Sequence, residues 1–476
     1  RPWACVMGTM NNHTHQDTDG THQMVTVNIN TRKGNETLRL GFTDQRVTAY
    51  GGLAVLSQFL HKKGFRGRLA AALPQAPTSP NAYDPTDIGM GFIGGILCGA
   101  DKLSRVGWLA QDVAVADVLG IEAIPSQSTL TRFFRGFSQA SNDGLNRLNR
   151  WMAGHWPSAG REGYTLDVDS WALLHEDGHQ EGVQIGYTRT GLKPCHRPLV
   201  GVIAEMKVVV KYWLRRGDSA CANGAADFVS QSIDQMPAHI RVGLVRGDSG
   251  FCATRVKEAI RQRGAHYILV ARLDKPVQRL CRHDDTLWQS TEIEGLEIQE
   301  VPWTSMGERL VVIRQRVAQR PEAGGKTLLD IPGYRFQALV TDLPDSTRPV
   351  DIWRRYNGRA DSENRLKELG RQFGIRGLCC QRFWATEAAH LLAIVAHNLV
   401  VLLQRELGKT EKGELATLRM KLFLRAGVWS RAQGQATLRL AVPAAWRSWW
   451  LDIIDKLKCP LPPFNLYCNA VENLRA

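Results

Sequence analysis

The sequence lacks the features that mark secreted proteins, membrane proteins and small domains held together by zinc. Its ten cysteines include no C-x-x-C pair, and the adjacent Cys379 and Cys380 do not have ordinary zinc-ligand spacing. No secretory signal is visible, and the most apolar run, residues 388–403, is too short to span a bilayer comfortably. We therefore predict a reduced cytoplasmic protein with no membrane partner, in which residues 388–403 form a buried core helix.

Acidic residues are too few to balance the basic ones. There are 46 Asp and Glu against 60 Lys and Arg, which gives a formal net charge of +14. This excess favours a polyanionic partner, with nucleic acid as the first choice and an anionic membrane surface as the second. The alternative is a basic protein that has no such partner. The length of 476 residues allows two to four domains and a large core.

The N-terminal third of the chain divides into two parts. Residues 1–23 have no periodic apolar pattern, and we interpret them as a disordered or non-native leader without function. Residues 24–160 are predicted to form a helical DNA-binding region, because apolar residues recur at helical spacing. Ser126 is a fair N-cap for a helix that carries Arg132 and Arg135, and this basic helix could read DNA. A plain helical bundle with a solvated basic face explains the same pattern.

The apolar period changes after residue 164. Three candidate strands (YTLDVDSW, GVQIGY and HRPLVGVIAEMKVVVKYWL) are followed by a helix, the strand IRVGLVRGD, another helix and the strand HYILVARL. This order predicts an α/β (α+β) fold with a mixed five-stranded sheet and flanking helices. Residues 274–333 contain short strand-like pieces between Gly and Pro, which we interpret as a β-rich insertion.

Three acidic residues stand out by position. Asp169 and Asp248 come at the ends of predicted strands, and Glu363 lies on a predicted basic helix over residues 351–370. Acids at the ends of adjacent strands converge, and a helix packed on the sheet can bring a third. Such a trio would hold two Mg²⁺ or Mn²⁺ ions, which activate a nucleophile and neutralise a leaving oxyanion in phosphodiester chemistry. The pattern therefore predicts metal-dependent chemistry on nucleic-acid phosphates.

Each acid also has a structural interpretation. Asp169 alternatively caps a turn, Asp248 belongs to a Gly-Asp-Ser-Gly turn, and Glu363 forms a surface pair with a neighbouring cation. Asp167 competes with Asp169 for the catalytic role, because both point to the same face of one strand.

The cations beside Glu363 suggest how DNA is held. Arg359, Glu363 and Lys367 fall at i, i+4 and i+8 on one helix face, so both cations are predicted to bind DNA phosphates. Tyr356 lies one turn before Arg359 and is predicted to contact a phosphate or a base; a core aromatic is the alternative.

At these residues the chain resembles bacterial insertion-sequence transposases of the DDE class, in the group with a Y-(2)-R-(3)-E-(6)-K signature. Tyr356, Arg359 and Glu363 match its spacing, whereas the final Lys is replaced by Gly370. The segments LDVDSW, VRGDSGF and RRYNGRADSENRLKELGRQFGI also resemble this group, and the likeness covers about residues 40 to 445.

The resemblance implies an RNase H-like catalytic core with the β-rich insertion between the second Asp and the Glu. It selects Asp169 over Asp167, since Ser170 follows as a small hydroxyl residue, although Trp171 replaces the usual Thr. It further implies cut-and-paste transposition: binding of terminal inverted repeats, cleavage that frees 3′-hydroxyls, and joining to target DNA. A DNA-bound homodimer is expected by analogy. Trp303 is a guess for an aromatic that stacks on a displaced base, and a core role is the favoured alternative.

The expected cellular location is the bacterial cytoplasm, at the nucleoid when DNA is bound. Two other hypotheses remain: a decayed or domesticated DNA-binding protein, and a nuclease of the same fold that cuts branched DNA. The predicted divisions of the chain are a leader (1–23), a helical DNA-binding region (24–160), a catalytic core (161–273 and 334–410), an insertion (274–333) and a helical C-terminal region (411–476).

Overall fold

The computed structural model describes most of the chain. The described residues are 25–32, 34–75, 79, 82–175, 178–188, 190–272, 274–281, 288–303, 307–316, 333–408 and 413–458. The predicted leader, 1–23, lies outside them.

The N-terminal region is a bundle of short helices preceded by a β-hairpin. Its elements are β1 Val25–Thr31, β2 Gly34–Leu40, β3 Val47–Thr48, α1 Leu53–Lys62, α2 Phe65–Ala72, α3 Pro85–Cys98, α4 Leu103–Trp108, α5 Val115–Leu119, α6 Gln127–Arg135 and α7 Gln139–Ala153. Ser126 caps α6 as predicted, because its side chain accepts a hydrogen bond from the Thr129 amide. The prediction of a helical region from residue 24 is wrong for residues 25–40. There the polar and β-branched side chains alternate with period two, and Gly34 adopts a φ of 123° next to the turn.

A large mixed sheet forms the centre of the molecule. The elements of this part are β4 Tyr164–Ser170, β5 Leu173–Leu174, β6 Gln184–Thr188, β7 Gly191–His196, β8 Leu199–Ile203, β9 Val208–Trp213, α8 Ala225–Asp234, β10 Val242–Gly247, α9 Thr254–Arg261, β11 His266–Val270, α10 Lys275–Cys281, β12 Gln289–Ser290, β13 Leu296–Pro302, β14 Arg309–Arg316 and β15 Tyr334–Thr341. The order in the sheet is β12-β13-β14-β15-β11-β10-β4-β8-β9. Strand β10 runs parallel to β4 and to β11, and the other pairs are antiparallel.

The mixed sheet with flanking helices is confirmed, but its strands differ from the predicted five. The long apolar run after residue 196 was expected to be one strand and forms two, β8 and β9, which reverse at Lys207 with a φ of 58°. The expected strand GVQIGY instead supplies β6 of a small separate sheet, ordered β5-β7-β6. The insertion is not separate either: β14 pairs with β15 along eight residues and so continues the central sheet beyond β11. This pairing covers an edge that would otherwise expose unpaired backbone groups.

The C-terminal region combines helices with one more hairpin. Its elements are α11 Pro349–Asn357, α12 Ala360–Arg371, α13 Phe383–Glu406, α14 Leu415–Leu418, β16 Gly427–Ala432, β17 Gln435–Leu440 and α15 Ala444–Lys456. The prediction that residues 411–476 are helical is therefore wrong at 427–440. Gln433 and Gly434 both have positive φ, which is the backbone of a two-residue hairpin turn. Strand β16 also pairs with β3 from the other end of the chain.

Helix α13 is the core helix that the sequence predicts. It is long and apolar enough to cross a membrane by length and composition, but its apolar window is entirely buried inside the protein. It packs between the N-terminal helices and the sheet. Two of its polar residues satisfy the backbone of β9: Asn398 bonds both the amide (3.0 Å) and the carbonyl (2.8 Å) of Val209, and Glu387 accepts from the Leu214 amide at 2.8 Å just past the strand. Among the described residues β9 is an edge strand of the central sheet, and α13 supplies hydrogen bonds to its backbone.

Candidate active site

Two of the predicted acids meet at one edge of the central sheet. Asp169 lies near the end of β4, and Asp248 follows directly after β10. These strands are parallel neighbours, with Val168 opposite Gly247, so the two acids come at matching positions. Each carboxylate also accepts a local backbone hydrogen bond, Asp169 from Ser170 and Asp248 from Gly250.

Glu363 reaches the same place from the first turn of α12. It lines, with Asp169 and Asp248, a cleft of about 440 Å³. The sequence predicts this convergence, although the acids are separated by tens of residues along the chain. Four cations also line the cleft: Arg197, Arg359, Lys367 and Arg376.

The pKa of Asp169 reflects its burial and its charged neighbours. Burial raises the pKa of this carboxyl to about 6, the nearby Arg359 opposes the rise, and Asp248 and Glu363 add to it. Neighbouring carboxylates that raise the pKa of an acid are repelling its negative charge, and a bound cation would relieve that repulsion. The carboxylate oxygens of the trio are also the hard ligands that Mg²⁺ and Mn²⁺ prefer. The residues present therefore fit a divalent-metal site formed by Asp169, Asp248 and Glu363.

Arg359 makes a different contact from the one predicted. Its guanidinium is 2.8 Å from an Asp169 carboxylate oxygen, and the residue is only 7% exposed. A cation held in this way neutralises the acid and fixes its orientation. Arg359 lines the cleft, but its charge is engaged by the protein and not presented on the surface for DNA.

Tyr356 is in the core, as in the alternative interpretation. It is 8% exposed and packs in a cluster with Ile352 and Leu339. Burial raises the pKa of the phenol, and the nearby Arg359 opposes the rise. The prediction that Tyr356 contacts a phosphate or a base is therefore wrong for this conformation, because its ring is enclosed.

Lys367 is where the sequence analysis expects it, exposed on α12 and lining the cleft. The missing Lys at position 370 has a steric explanation. A Cβ at Gly370 would approach the Trp171 ring to 2.8 Å, so the two departures from the family pattern are in contact. The guanidinium of Arg376 lies over the same ring, 5.9 Å from its centroid, and brings another cation to the cleft.

Comparison with known proteins identifies the family of the chain. The family description Transposase DDE domain group 1 matches residues 30–460. The chain belongs to this DDE transposase family. Among solved structures, it is similar to piggyBac transposase in a synaptic complex with hairpin DNA, with 11% identity, a TM-score of 0.41, and coverage of 88% of this chain and 89% of that chain. No curated protein matches it.

The DDE domain also contains Asp167, the competing acid, and gives it a structural role. Asp167 is 1% exposed, and Arg246 donates two hydrogen bonds to its carboxylate, at 2.6 and 2.8 Å. Arg246 further bonds the Arg355 carbonyl and so ties β4 and β10 to the end of α11. The role of Arg246 was not predicted from the sequence. The available signal was the pair of opposite charges, Asp167 and Arg246, at positions expected to be buried in adjacent strands.

The remaining predicted residues of the DDE domain lie away from the cleft lining. Arg132 and Arg135 are exposed on α6, so they are available to a partner, and their DNA-reading role stays a prediction. Trp303 is half-buried and packs against the core beneath the sheet, which favours the core role over base stacking.

Proposed function

We propose that this chain is a cut-and-paste DNA transposase that binds terminal inverted repeats, cleaves phosphodiesters and joins the freed 3′-hydroxyls to target DNA. One observation supports it above the others: Asp169, Asp248 and Glu363 line a single cleft together with three cations, Arg197, Lys367 and Arg376, besides the Arg359 that pairs with Asp169. Carboxylates and cations suit opposite parts of the reaction, since the former hold divalent metal and the latter hold phosphate. Membership of the DDE family supports a metal-dependent nuclease and strand transferase.

The roles of the side chains follow from their surroundings. Asp169, Asp248 and Glu363 would hold two Mg²⁺ or Mn²⁺ ions, which when bound activate the attacking hydroxyl and stabilise the leaving oxygen. Arg359 keeps Asp169 ionised and oriented, and Tyr356 lies beside Arg359 on the core side. Lys367 and Arg376 are exposed at the rim, where they contact the phosphates on either side of the scissile bond.

DNA is the partner that the charge favours. The net charge of +14 suits a polyanion, and the basic helix α6 offers Arg132 and Arg135 as a second contact with double-stranded DNA. Because two transposon ends must be cut in one assembly, we propose that the protein acts as a homodimer on DNA. We place this activity in the bacterial cytoplasm, at the nucleoid.

The test is strand cleavage by the Glu363→Gln variant on duplexes that carry the inverted repeats flanking the gene. Cleavage with Mg²⁺ or Mn²⁺ should be abolished, while binding of the same duplex is largely retained, because the amide removes a metal ligand and leaves the rim cations in place. Asp361→Asn is the matched control: it lies on the same helix but pairs with Arg365, at 3.4 Å, and does not line the cleft.

Three other results would count against the proposal. Normal turnover by Glu363→Gln would remove Glu363 from the mechanism. Cleavage of branched DNA regardless of end sequence would indicate a structure-specific nuclease. Binding of the repeats by the unaltered chain with no cleavage in either metal would indicate a decayed or domesticated DNA-binding protein.

A further inference from the structure

Three potential metal ligands from distant parts of the chain meet behind one wall of the cleft. They are His175, His196 and Cys379, and their ligand atoms all lie within 4.8 Å of one another. His175 follows β5, His196 ends β7, and Cys379 lies between α12 and α13. From the sequence alone, Cys379 was not a predicted metal ligand, because its only close cysteine is Cys380. The structure supplies partners for it that sequence spacing does not reveal.

The hydrogen bonding of His196 leaves its Nδ1 nitrogen available to bind a metal ion. Its Nε2 is 3.0 Å from the Glu181 carbonyl, an acceptor, so this nitrogen carries the proton. Nδ1 of the neutral ring therefore presents a lone pair. This atom is fully buried and has no hydrogen-bond partner among the described residues. A metal-binding histidine almost always donates its other N–H to a carbonyl or a carboxylate, as His196 does here.

A neighbouring histidine shows what a purely structural role looks like in the same core. His390 is also fully buried, but both of its ring nitrogens have partners, the Tyr212 hydroxyl and the Leu378 carbonyl, each at 2.7 Å. Its polar atoms are satisfied without an ion. His196 differs from it in leaving one nitrogen unmatched beside a thiol and a second imidazole.

The other two groups suit the same ion. Nε2 of His175 faces the Cys379 sulfur at 4.0 Å, and the two histidine rings are 4.8 Å apart between centroids. Bond lengths of about 2.0 Å to nitrogen and 2.3 Å to sulfur place tetrahedral ligand atoms roughly 3.3–3.6 Å apart. Small side-chain movements would therefore close the set around an ion.

We propose that His175, His196 and Cys379 form a zinc site that is distinct from the carboxylate cleft. Zn²⁺ binds both imidazoles as neutral ligands and displaces the thiol proton of Cys379 to solvent, and the fourth tetrahedral position is left to water. Nitrogen and sulfur ligands select Zn²⁺ over Mg²⁺, which prefers the oxygens of the cleft.

The position of the site suggests what the ion does. The small sheet β5-β7-β6 contributes Leu174, Tyr187 and Thr188 to the wall of the cleft. An ion held by His175 and His196 from this sheet and by Cys379 from the segment before α13 would fasten that wall to the helical core. The proposed zinc therefore stabilises the shape of the cleft without taking part in the reaction.

The experiment measures metal in the purified full-length chain, independently of its activity. After removal of metal and reloading with Zn²⁺, we expect one zinc per chain in the unaltered protein and in Cys380→Ser, and no stoichiometric zinc in Cys379→Ser. Cys380 is the matched control because it is adjacent and partly buried but lies outside the cluster. The Asp169→Asn variant should keep its zinc, which shows that the metal is not in the carboxylate cleft.

A second measurement tests the site without the Cys379 variant, which could lose zinc simply by misfolding. Co²⁺ in place of Zn²⁺ should give a thiolate-to-cobalt charge-transfer band in the unaltered chain and in Cys380→Ser. No stoichiometric zinc and no such band in the unaltered chain would overturn the proposal, as would equal zinc in Cys379→Ser and the unaltered protein. Because neither measurement uses DNA, failure here leaves the proposed transposase activity untouched.

Discussion

The contact between Arg359 and Asp169 offers the sharpest test of how the cleft is built. We consider Arg359→Met, which keeps much of the side-chain volume and removes the charge. The ion pair is nearly enclosed, with side-chain exposures of 8% and 13%. Removal of one partner from a buried pair leaves an uncompensated charge and typically costs about 3–5 kcal/mol. We expect the free energy of unfolding to fall by about this amount at pH 8.

The loss should depend on pH. Burial, together with Asp248 and Glu363, already raises the pKa of Asp169 to about 6, against the lowering effect of Arg359. Without Arg359 this pKa rises further above its unfolded value, so the folded state binds the Asp169 proton more readily. Stability of the variant then decreases as the pH rises through that pKa, and the difference from the unaltered protein narrows toward pH 5.

The assay is urea unfolding at pH 5 and pH 8, with Arg355→Met as the matched control. Arg355 contacts Glu162 at 3.4 Å with exposed side chains, and a surface pair of this kind contributes roughly 0–1 kcal/mol. Mg²⁺ should stabilise Arg359→Met more than the unaltered chain, because the metal replaces the lost positive charge. Equal losses for the two variants at pH 8 would refute this account of the cleft.

Two further predictions concern the polar groups that attach α13 to the sheet. Asn398→Ala should lower the free energy of unfolding by about 2–4 kcal/mol in urea titrations, because it leaves the amide and carbonyl of Val209 buried without partners; a loss below that of an exposed Asn→Ala change would contradict it. Burial raises the pKa of Glu387 to about 7, so its ionisation opposes folding and stability should decrease between about pH 4.5 and pH 7. Glu387→Gln should flatten that slope in thermal melts, and an unchanged slope would assign the pH dependence to other groups.

The sequence was sufficient to predict that the three acids converge, but not to predict the contacts made by the residues around them. Asp169 and Asp248 were predictable because they follow apolar runs that become adjacent parallel strands. Their convergence with Glu363 needed only a helix packed on that sheet. Tyr356 was misassigned because the sequence does not show that the predicted helix breaks near Gly358, where a Cβ would come within 2.7 Å of the Arg246 guanidinium.

The predicted number of strands was wrong because the turn between β8 and β9 has no signal in the sequence. Residues 202–213, on both sides of the turn, contain neither Gly nor Pro, so nothing marks the reversal between β8 and β9, and Lys207 itself adopts the left-handed turn conformation. The proposed zinc site also could not be predicted from local sequence. The proposed ligands His175, His196 and Cys379 have no recognisable metal-site spacing in the sequence, and only the fold brings them together.

The pairing of β3 with β16 has a consequence for synthesis on the ribosome. One continuous core contains Leu53 near one end of the described chain and Leu457 near the other, and Gln58 donates a hydrogen bond to the Leu457 carbonyl across 399 positions. The N-terminal helices therefore cannot complete their packing while the last helix is still in the exit tunnel. Contacts between such distant segments also slow folding. A nascent chain would accordingly keep its N-terminal helices incompletely packed until residues 444–457 had left the ribosome.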